Sequence, residues 1–158
     1  MSTTVGASAS VINHLNIVTL DLDRTAAFFV DNFGFVAGPK EVLKGPWVSE
    51  LTGYPDAEAV YLPLTPGSGG PGATRIELLT YVRPASPPPD HDATHLNLPG
   101  YRHIAFVVAD IDACYQRLRR NYRFFSPPVL VESKQLKTVY LVGPERIIVQ
   151  LLQPLPPP

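Results

Sequence analysis

Two stretches of the chain show the same alternation of apolar and polar positions. The first begins at His14 and reads His-Leu-Asn-Ile-Val-Thr-Leu-Asp-Leu-Asp; the second begins at His103 and reads His-Ile-Ala-Phe-Val-Val-Ala-Asp-Ile-Asp. At the offset that superposes the two histidines, Asp21 also matches Asp110. Alternating apolar positions are typical of a half-buried β-strand, and their recurrence predicts two similar structural units.

A helical pattern follows the first strand in each half. It covers residues 23–34 and residues 112–122, and it opens on Asp23 and Asp112, while Gly34 closes the first of the two. Aspartate at the start of a helix and glycine just past its end are common boundary residues. Each half is therefore expected to continue from a strand into a helix.

Further strands are expected after each helix. Residues 59–64 and 138–142 are apolar runs rich in β-forming residues, and residues 74–81 and 147–153 form similar closing strands. The order of elements in each half is thus a strand, a helix and two or three more strands.

These patterns predict an α+β fold of two βαβββ modules related by a pseudo-twofold axis. We expect the strands to form a curled, partly open mixed β-sheet around a central site, with the helices outside. The modules cover residues 11–82 and 101–154 and together make one domain. Residues 83–100 form a Pro-rich linker, whose His91 and His95 are interpreted as solvated loop residues.

Composition narrows the choice of partners and location. Charged residues are 17% of the chain and the formal net charge is −1, so the composition offers no basic patch for nucleic acid or a membrane surface. No apolar run is long enough to span a bilayer. A single cysteine, Cys114, is interpreted as a buried structural thiol. With no signal-peptide pattern at the N-terminus, we predict a cytoplasmic protein.

Four polar residues recur at matching positions of the two halves. His14 and His103 lie on the first strands, and Glu77 and Gln150 lie on the closing strands. A pseudo-twofold axis would place all four at equivalent inward positions. An ionised carboxylate within an apolar strand is costly unless it is paired or binds a metal. Two imidazoles, a carboxylate and an amide oxygen are suitable ligands for a divalent metal.

Each of these residues also has a simpler interpretation. A single histidine is more often an ordinary core or surface residue, Glu77 could pair with Arg75 or Arg83, and Gln150 could only hydrogen-bond in the core. Aromatic side chains are candidates for either a pocket wall or ordinary core packing. The aromatic candidates are Trp47, Tyr54, Tyr61, Tyr101 and Tyr140.

The sequence resembles the vicinal-oxygen-chelate superfamily, which includes glyoxalases, methylmalonyl-CoA epimerases, extradiol dioxygenases and fosfomycin- or bleomycin-resistance proteins. The resemblance covers roughly Val11 to Pro154. It rests on the strand of His14, the segments Asn32-Phe33-Gly34-Phe35, Ile76-Glu77-Leu78 and Gly100-Tyr-Arg-His103-Ile-Ala-Phe106, and the closing Gln150-Leu-Leu-Gln-Pro154.

The resemblance implies that His14, Glu77, His103 and Gln150 are the metal ligands. Many members carry glutamate where this chain has Gln150, and in isomerising members that glutamate can serve as both ligand and base. With glutamine there, Glu77 becomes the candidate base. The implied cofactor is one divalent ion, which could be zinc, nickel, cobalt, manganese or iron.

The function implied first is that of a metal-dependent isomerase, epimerase or lyase, which would act on a small oxygenated substrate through a metal-stabilised enolate. A homodimer is the expected assembly. Two other functions stay open. His14, His103 and Glu77 could form the 2-His-1-carboxylate site of an Fe(II)-dependent dioxygenase, or the chain could bind a drug or metabolite without catalysis.

Overall fold

The described residues, 11–89 and 94–156, fold in a computed structural model as an α+β protein of two compact units, which divide between Ser86 and Pro87. The division falls inside the predicted linker, while the boundaries of the predicted modules stay a prediction. Each unit contains a five-stranded mixed sheet, which confirms the predicted fold class of two βαβββ modules. No helix in the described ranges is long and apolar enough to cross a membrane.

The first unit alternates strands and helices along one mixed sheet. Its elements are β1 (His14–Val18), α1 (Leu22–Phe33), β2 (Phe35–Ala37), β3 (Glu41–Lys44), α2 (Pro46–Thr52), β4 (Glu58–Pro66) and β5 (Arg75–Arg83). The strands are ordered β1-β5-β4-β2, and β3 also pairs with β4. β1 pairs with β5 in parallel, so the first and last strands of the unit are neighbours. Each face of the sheet therefore carries side chains from both strands.

The second unit repeats this topology with shorter elements. They are β6 (Ile104–Val107), α3 (Ile111–Leu118), β7 (Arg123–Phe124), β8 (Val129–Val131), β9 (Leu136–Val142) and β10 (Ile148–Pro154). The strand order is β6-β10-β9-β7, β8 also pairs with β9, and β6 is parallel to β10. α3 ends at Leu118, before the predicted end at residue 122, because the chain turns there toward β7.

In each unit the strand after the helix is interrupted at proline. β2 and β3 pair with opposite ends of β4, and Pro39 lies between them. β7 and β8 pair with opposite ends of β9, with Pro127 and Pro128 between them. Proline has no N–H to donate to a sheet, so strand pairing breaks at these points.

One backbone hydrogen bond bridges each interruption. Gly38 N donates to Pro63 O at 2.9 Å, and Phe125 N donates to Tyr140 O at 3.1 Å. A Cβ at position 38 would lie 2.8 Å from Cγ of Pro63, so any side chain larger than that of Gly38 would force the proline ring or the backbone to move. The two sheets are therefore interrupted at equivalent places, so the internal repeat includes these breaks in strand pairing.

The helix-facing side of each sheet forms an apolar core. α1 packs on β4 and β5, and α3 packs on β10. The buried residues of the helices and facing strands are Phe28, Phe29, Leu62, Leu64, Ile76 and Leu78 in the first unit and Ile111, Leu118, Val139, Leu141, Val149 and Leu151 in the second. Because side chains alternate along a strand, the residues between them project from the opposite face.

The predicted N-cap residues of the two helices were wrong by two positions. Asp21 and Asp110, not Asp23 and Asp112, are the N-caps, and each carboxylate accepts the backbone N–H three residues later, at 3.0 and 2.9 Å. Asp23 and Asp112 lie in the first turn, where each pairs with a lysine. The predicted boundary at Gly34 is confirmed: it follows α1 with a left-handed φ of 69°.

Candidate metal centre

The face of the first sheet opposite α1 carries the polar residues of β1 and β5. His14 is level with Arg75, and Asn16 is level with Glu77. Partners in neighbouring strands project to the same side of a sheet, so these four residues share one face. Asn16 Nδ2 also donates to the carbonyl oxygen of Glu77 at 3.1 Å, which joins the two strands at this point.

The structure brings the side chains of His14 and Glu77 together. His14 Nε2 lies 3.4 Å from Glu77 Oε2, and 42% of the histidine side chain but only 16% of the glutamate side chain is exposed. This distance exceeds the usual range of hydrogen bonds between nitrogen and oxygen. Zinc bonds of about 2.0–2.2 Å at a tetrahedral angle place two donor atoms roughly 3.4 Å apart, so the pair fits a divalent cation.

Asn13 determines which nitrogen of His14 is available. Asn13 Oδ1 lies 2.9 Å from His14 Nδ1 and also accepts from Arg75 Nη2 at 3.1 Å. A carbonyl oxygen can only accept, so Nδ1 carries the proton and Nε2 of the neutral ring keeps its lone pair. A partner that fixes the tautomer in this way is typical of metal-binding histidines.

The two oxygens of Glu77 have different surroundings. Tyr61 Oη donates to Oε1 at 3.1 Å, and Arg75 Nη2 lies 3.4 Å from the same oxygen. Burial raises the pKa of the Tyr61 hydroxyl, and the hydrogen bond to Glu77 and its charge raise it further, while Arg75 acts in the opposite direction. Tyr61 therefore stays protonated and donates at neutral pH, and Oε2 is left to face His14.

The simpler interpretation of Glu77, in which it pairs with Arg75 or Arg83, holds for one of the two arginines. Arg75 contacts its carboxylate at 3.4 Å, as one of the two arginine pairings would require. Arg83 does not, because it pairs with Glu58 at 2.8 Å. The contact with Arg75 involves Oε1, so it coexists with the approach of His14 to Oε2.

In the second unit, His103 and Gln150 lie on the same face of the sheet. Tyr140 is the register partner of Gln150 on the antiparallel neighbour β9. The ring of Tyr140 meets the ring of His103 edge-on, with 5.2 Å between centroids. His103 immediately precedes β6, which is parallel to β10.

The orientation of the Gln150 amide follows from its partner, Thr138. The Thr138 hydroxyl donates to the carbonyl oxygen of Leu151 at 2.9 Å, which uses its only hydrogen. It can therefore only accept from Gln150, whose Nε2 lies 2.9 Å away. The amide presents Nε2 to Thr138, and Oε1 is the atom available to a cation.

Tyr61 and Thr138 are equivalent in the two sheets. Glu77 pairs in register with Pro63, and Tyr61 lies two residues before Pro63 on the same strand. Gln150 pairs in register with Tyr140, and Thr138 lies two residues before Tyr140 on the same strand. Sequence analysis did not single out Thr138. Likeness between Val-Tyr-Leu at residues 60–62 and at 139–141 aligns Tyr61 with Tyr140 instead, and only the strand register reveals the true match.

The other candidates occupy varied positions. Tyr61 and Tyr140 contact Glu77 and His103, Tyr54 packs against Tyr81, and Trp47 and Tyr101 are exposed. Cys114 is half-buried on α3. His95 is exposed, and His91 lies outside the described residues.

A cleft of about 510 Å³ in the first unit opens beside α2, away from His14 and Glu77. Its lining includes Lys44, Asp56, Glu58 and Arg83, so the formal charges cancel. We assign no site to it. Within either unit alone, the described residues contain no group of three or more His, Cys, Asp or Glu side chains that could hold a metal.

Comparison with known families identifies the class of protein. The sequence model of the Glyoxalase/Bleomycin resistance protein/Dioxygenase superfamily matches residues 11–145, and the chain belongs to this superfamily. The resemblance noted from the sequence is thereby confirmed. The matched range contains His14, Glu77 and His103 and ends before Gln150.

Solved structures agree on the fold. The chain is similar to a glyoxalase family protein from Bacillus cereus, with a TM-score of 0.83 and 24% identity over 96% of this chain and 99% of that one. It is also similar to the trypanothione-dependent glyoxalase I of Leishmania major, with a TM-score of 0.61 and 19% identity over 92% of this chain and 87% of that one. A glyoxalase I mutant from Zea mays gives a TM-score of 0.58 and 16% identity over 92% of this chain and 46% of that one. No curated protein sequence matches the chain.

Proposed function

We propose that the protein is a metal-dependent isomerase, epimerase or lyase that acts on a small oxygenated molecule. The cation, which could be zinc, nickel, cobalt, manganese or iron, would be held by His14, Glu77, His103 and Gln150. The observation that carries the proposal is the approach of His14 Nε2 to Glu77 Oε2 at 3.4 Å. Superfamily membership adds support, since two similar structures are named as glyoxalase I.

The protein groups around the donor atoms suit this role. Asn13 keeps the proton of His14 on Nδ1. Thr138 accepts from Nε2 of Gln150, which leaves Oε1 of the amide available to a cation. A bound divalent cation would act as a Lewis acid toward a substrate oxygen. These residues would hold neutral donors in place before any substrate arrives.

Proton transfer falls to Glu77 in this proposal. An amide such as Gln150 cannot act as a general base, whereas an ionised carboxylate can. Tyr61 and Arg75 hold Oε1, so Oε2, once released by the cation, is the atom that would accept a proton from the carbon beside the substrate carbonyl. Their contacts also restrain rotation of the carboxylate.

Glu77→Gln should abolish proton exchange while leaving the fold intact. The probes are hydroxyacetone and pyruvate in D₂O with zinc- or cobalt-loaded protein, and the readout is loss of the C–H signals in the proton NMR spectrum. A general base contributes about 10²–10⁴-fold, so exchange above the buffer rate should disappear.

Glu50→Gln is the matched control for this experiment, because Glu50 is exposed on α2. Unchanged exchange in Glu77→Gln, at equal metal content, would refute the role of Glu77. Oxygen uptake with ferrous iron and catechols would instead favour a dioxygenase. A ligand bound by metal-free protein without turnover would favour a binding protein.

Thr138→Val should weaken zinc binding about tenfold, which is typical of losing a group that orients a ligand. Valine has the shape of threonine but cannot accept from Nε2 of Gln150, so the amide would be free to turn. Thr138→Ser keeps the hydroxyl and is expected to bind zinc as the wild type does. Equal zinc affinity of the valine and serine variants, measured by competition with a chromophoric chelator, would remove Gln150 from the proposed ligands.

A further inference from the structure

Arg75 lies beside the proposed ligands on the same open face of the first sheet. It is level with His14 in the strand register and two residues before Glu77. Its side chain is 40% exposed, so solvent and small molecules reach it. No other guanidinium contacts the carboxylate of Glu77 among the described residues.

The contacts of Arg75 leave most of its donors available. The hydrogen bonds to Asn13 Oδ1 at 3.1 Å and Glu77 Oε1 at 3.4 Å both use Nη2. A guanidinium has five N–H groups in a fixed planar fork, so those of Nη1 and Nε remain for a ligand. An arginine needed only as a counter-ion for Glu77 would be expected to make the shorter, two-pronged contact that carboxylates favour.

The charges at this face favour an anion. As a metal ligand His14 would be neutral and contribute none, and the formal charges of Glu77 and Arg75 cancel each other. A divalent cation would therefore give this face a net formal charge of +2, and the glutamate beside it is largely shielded from water. Opposite charge from a ligand lowers the energy of such a site.

We propose that the substrate carries a carboxylate next to the carbon whose oxygen meets the cation, and that Arg75 binds this carboxylate with a charged hydrogen bond from Nη1 or Nε. A 2-oxo or 2-hydroxy acid has this form. The inference rests on the proposed function, because it assigns the neighbouring oxygen of the substrate to the cation held by His14 and Glu77. Arg75 would then select anionic substrates over neutral ones of the same shape.

The test compares pyruvate with pyruvamide, its neutral amide of matching shape. Each is titrated into cobalt-loaded protein, and the visible absorption of cobalt reports binding. Wild-type protein should prefer pyruvate, and Arg75→Met should reduce that preference about tenfold or more, the usual effect of losing a charged hydrogen bond. Arg75→Lys keeps the charge without the fork and should fall between the two.

Cobalt content separates this inference from the proposed function. If wild-type protein takes up no cobalt, both are overturned. If cobalt is bound but Arg75→Met weakens pyruvate and pyruvamide equally, only the inference is overturned. Loss of cobalt from Arg75→Met would also overturn it, because the contact of Arg75 with Glu77 would then be required to hold the metal and would account for the residue without a role at the substrate.

Discussion

His14→Ala is expected to lower the affinity of the protein for zinc by about a hundredfold or more. Loss of an orienting partner alone typically costs about 10–100-fold, and this change removes the donor atom itself. The expectation follows from the fixed tautomer, which leaves Nε2 of His14 facing Glu77 Oε2. Competition with a chromophoric chelator at constant pH measures the affinity.

His95→Ala is the matched control, since it removes an exposed imidazole that lies in the linker. It should bind zinc as the wild type does. Equal zinc affinity of the His14 and His95 variants would mean that His14 is an ordinary surface residue.

Phe29→Ala is expected to lower the free energy of unfolding by about 3–5 kcal/mol, as large-to-small changes in a closed core do. Phe29 is 0% exposed, and its ring meets those of Phe28, Phe33 and Phe35 at centroid distances of 5.1, 6.3 and 5.9 Å. The neighbours are fixed by α1 and the strand that follows, so they cannot close the resulting space. Urea unfolding of the metal-free protein gives the value.

Val36→Ala provides the comparison, because Val36 lies beside Phe35 but is 60% exposed. Its effect should stay within about 0.5 kcal/mol, as for most surface changes. A core residue is expected to cost more than about 1 kcal/mol. If Phe29→Ala lowers the free energy of unfolding by less than that, the result would contradict the packing of α1 on β4 and β5.

The sequence was sufficient to predict the two modules and the meeting of His14 with Glu77. Strand alternation assigns each residue to a face, and the internal repeat indicates which faces correspond. The alternation in β5 places Ile76 and Leu78 in the core and Glu77 on the other face, as the structure confirms. The metal role of these residues stays a proposal.

Other features depend on geometry that a linear pattern does not contain. Each helix start offers two aspartates, and the backbone direction decides that Asp21 and Asp110 become the caps. The partners of Glu77 and Gln150 depend on strand register, which places Tyr61 and Thr138 diagonally across from them. The sequence pattern showed no reason to pair a tyrosine with a threonine.

Two other expectations, a homodimer and a cytoplasmic location, stay predictions. The small-molecule substrate is part of the proposed function. Analytical ultracentrifugation would determine the number of chains in the assembly.

The most direct test of the central claim is the metal content of untagged protein purified without chelators, measured by elemental analysis with His14→Ala and His103→Ala alongside. The proposal that both modules contribute to one site predicts about one equivalent of a divalent metal in the wild type and loss of it in both variants. Protein that stays empty after incubation with zinc, nickel, cobalt, manganese and iron would contradict it. So would two equivalents with each variant losing only one, because each module would then hold its own metal.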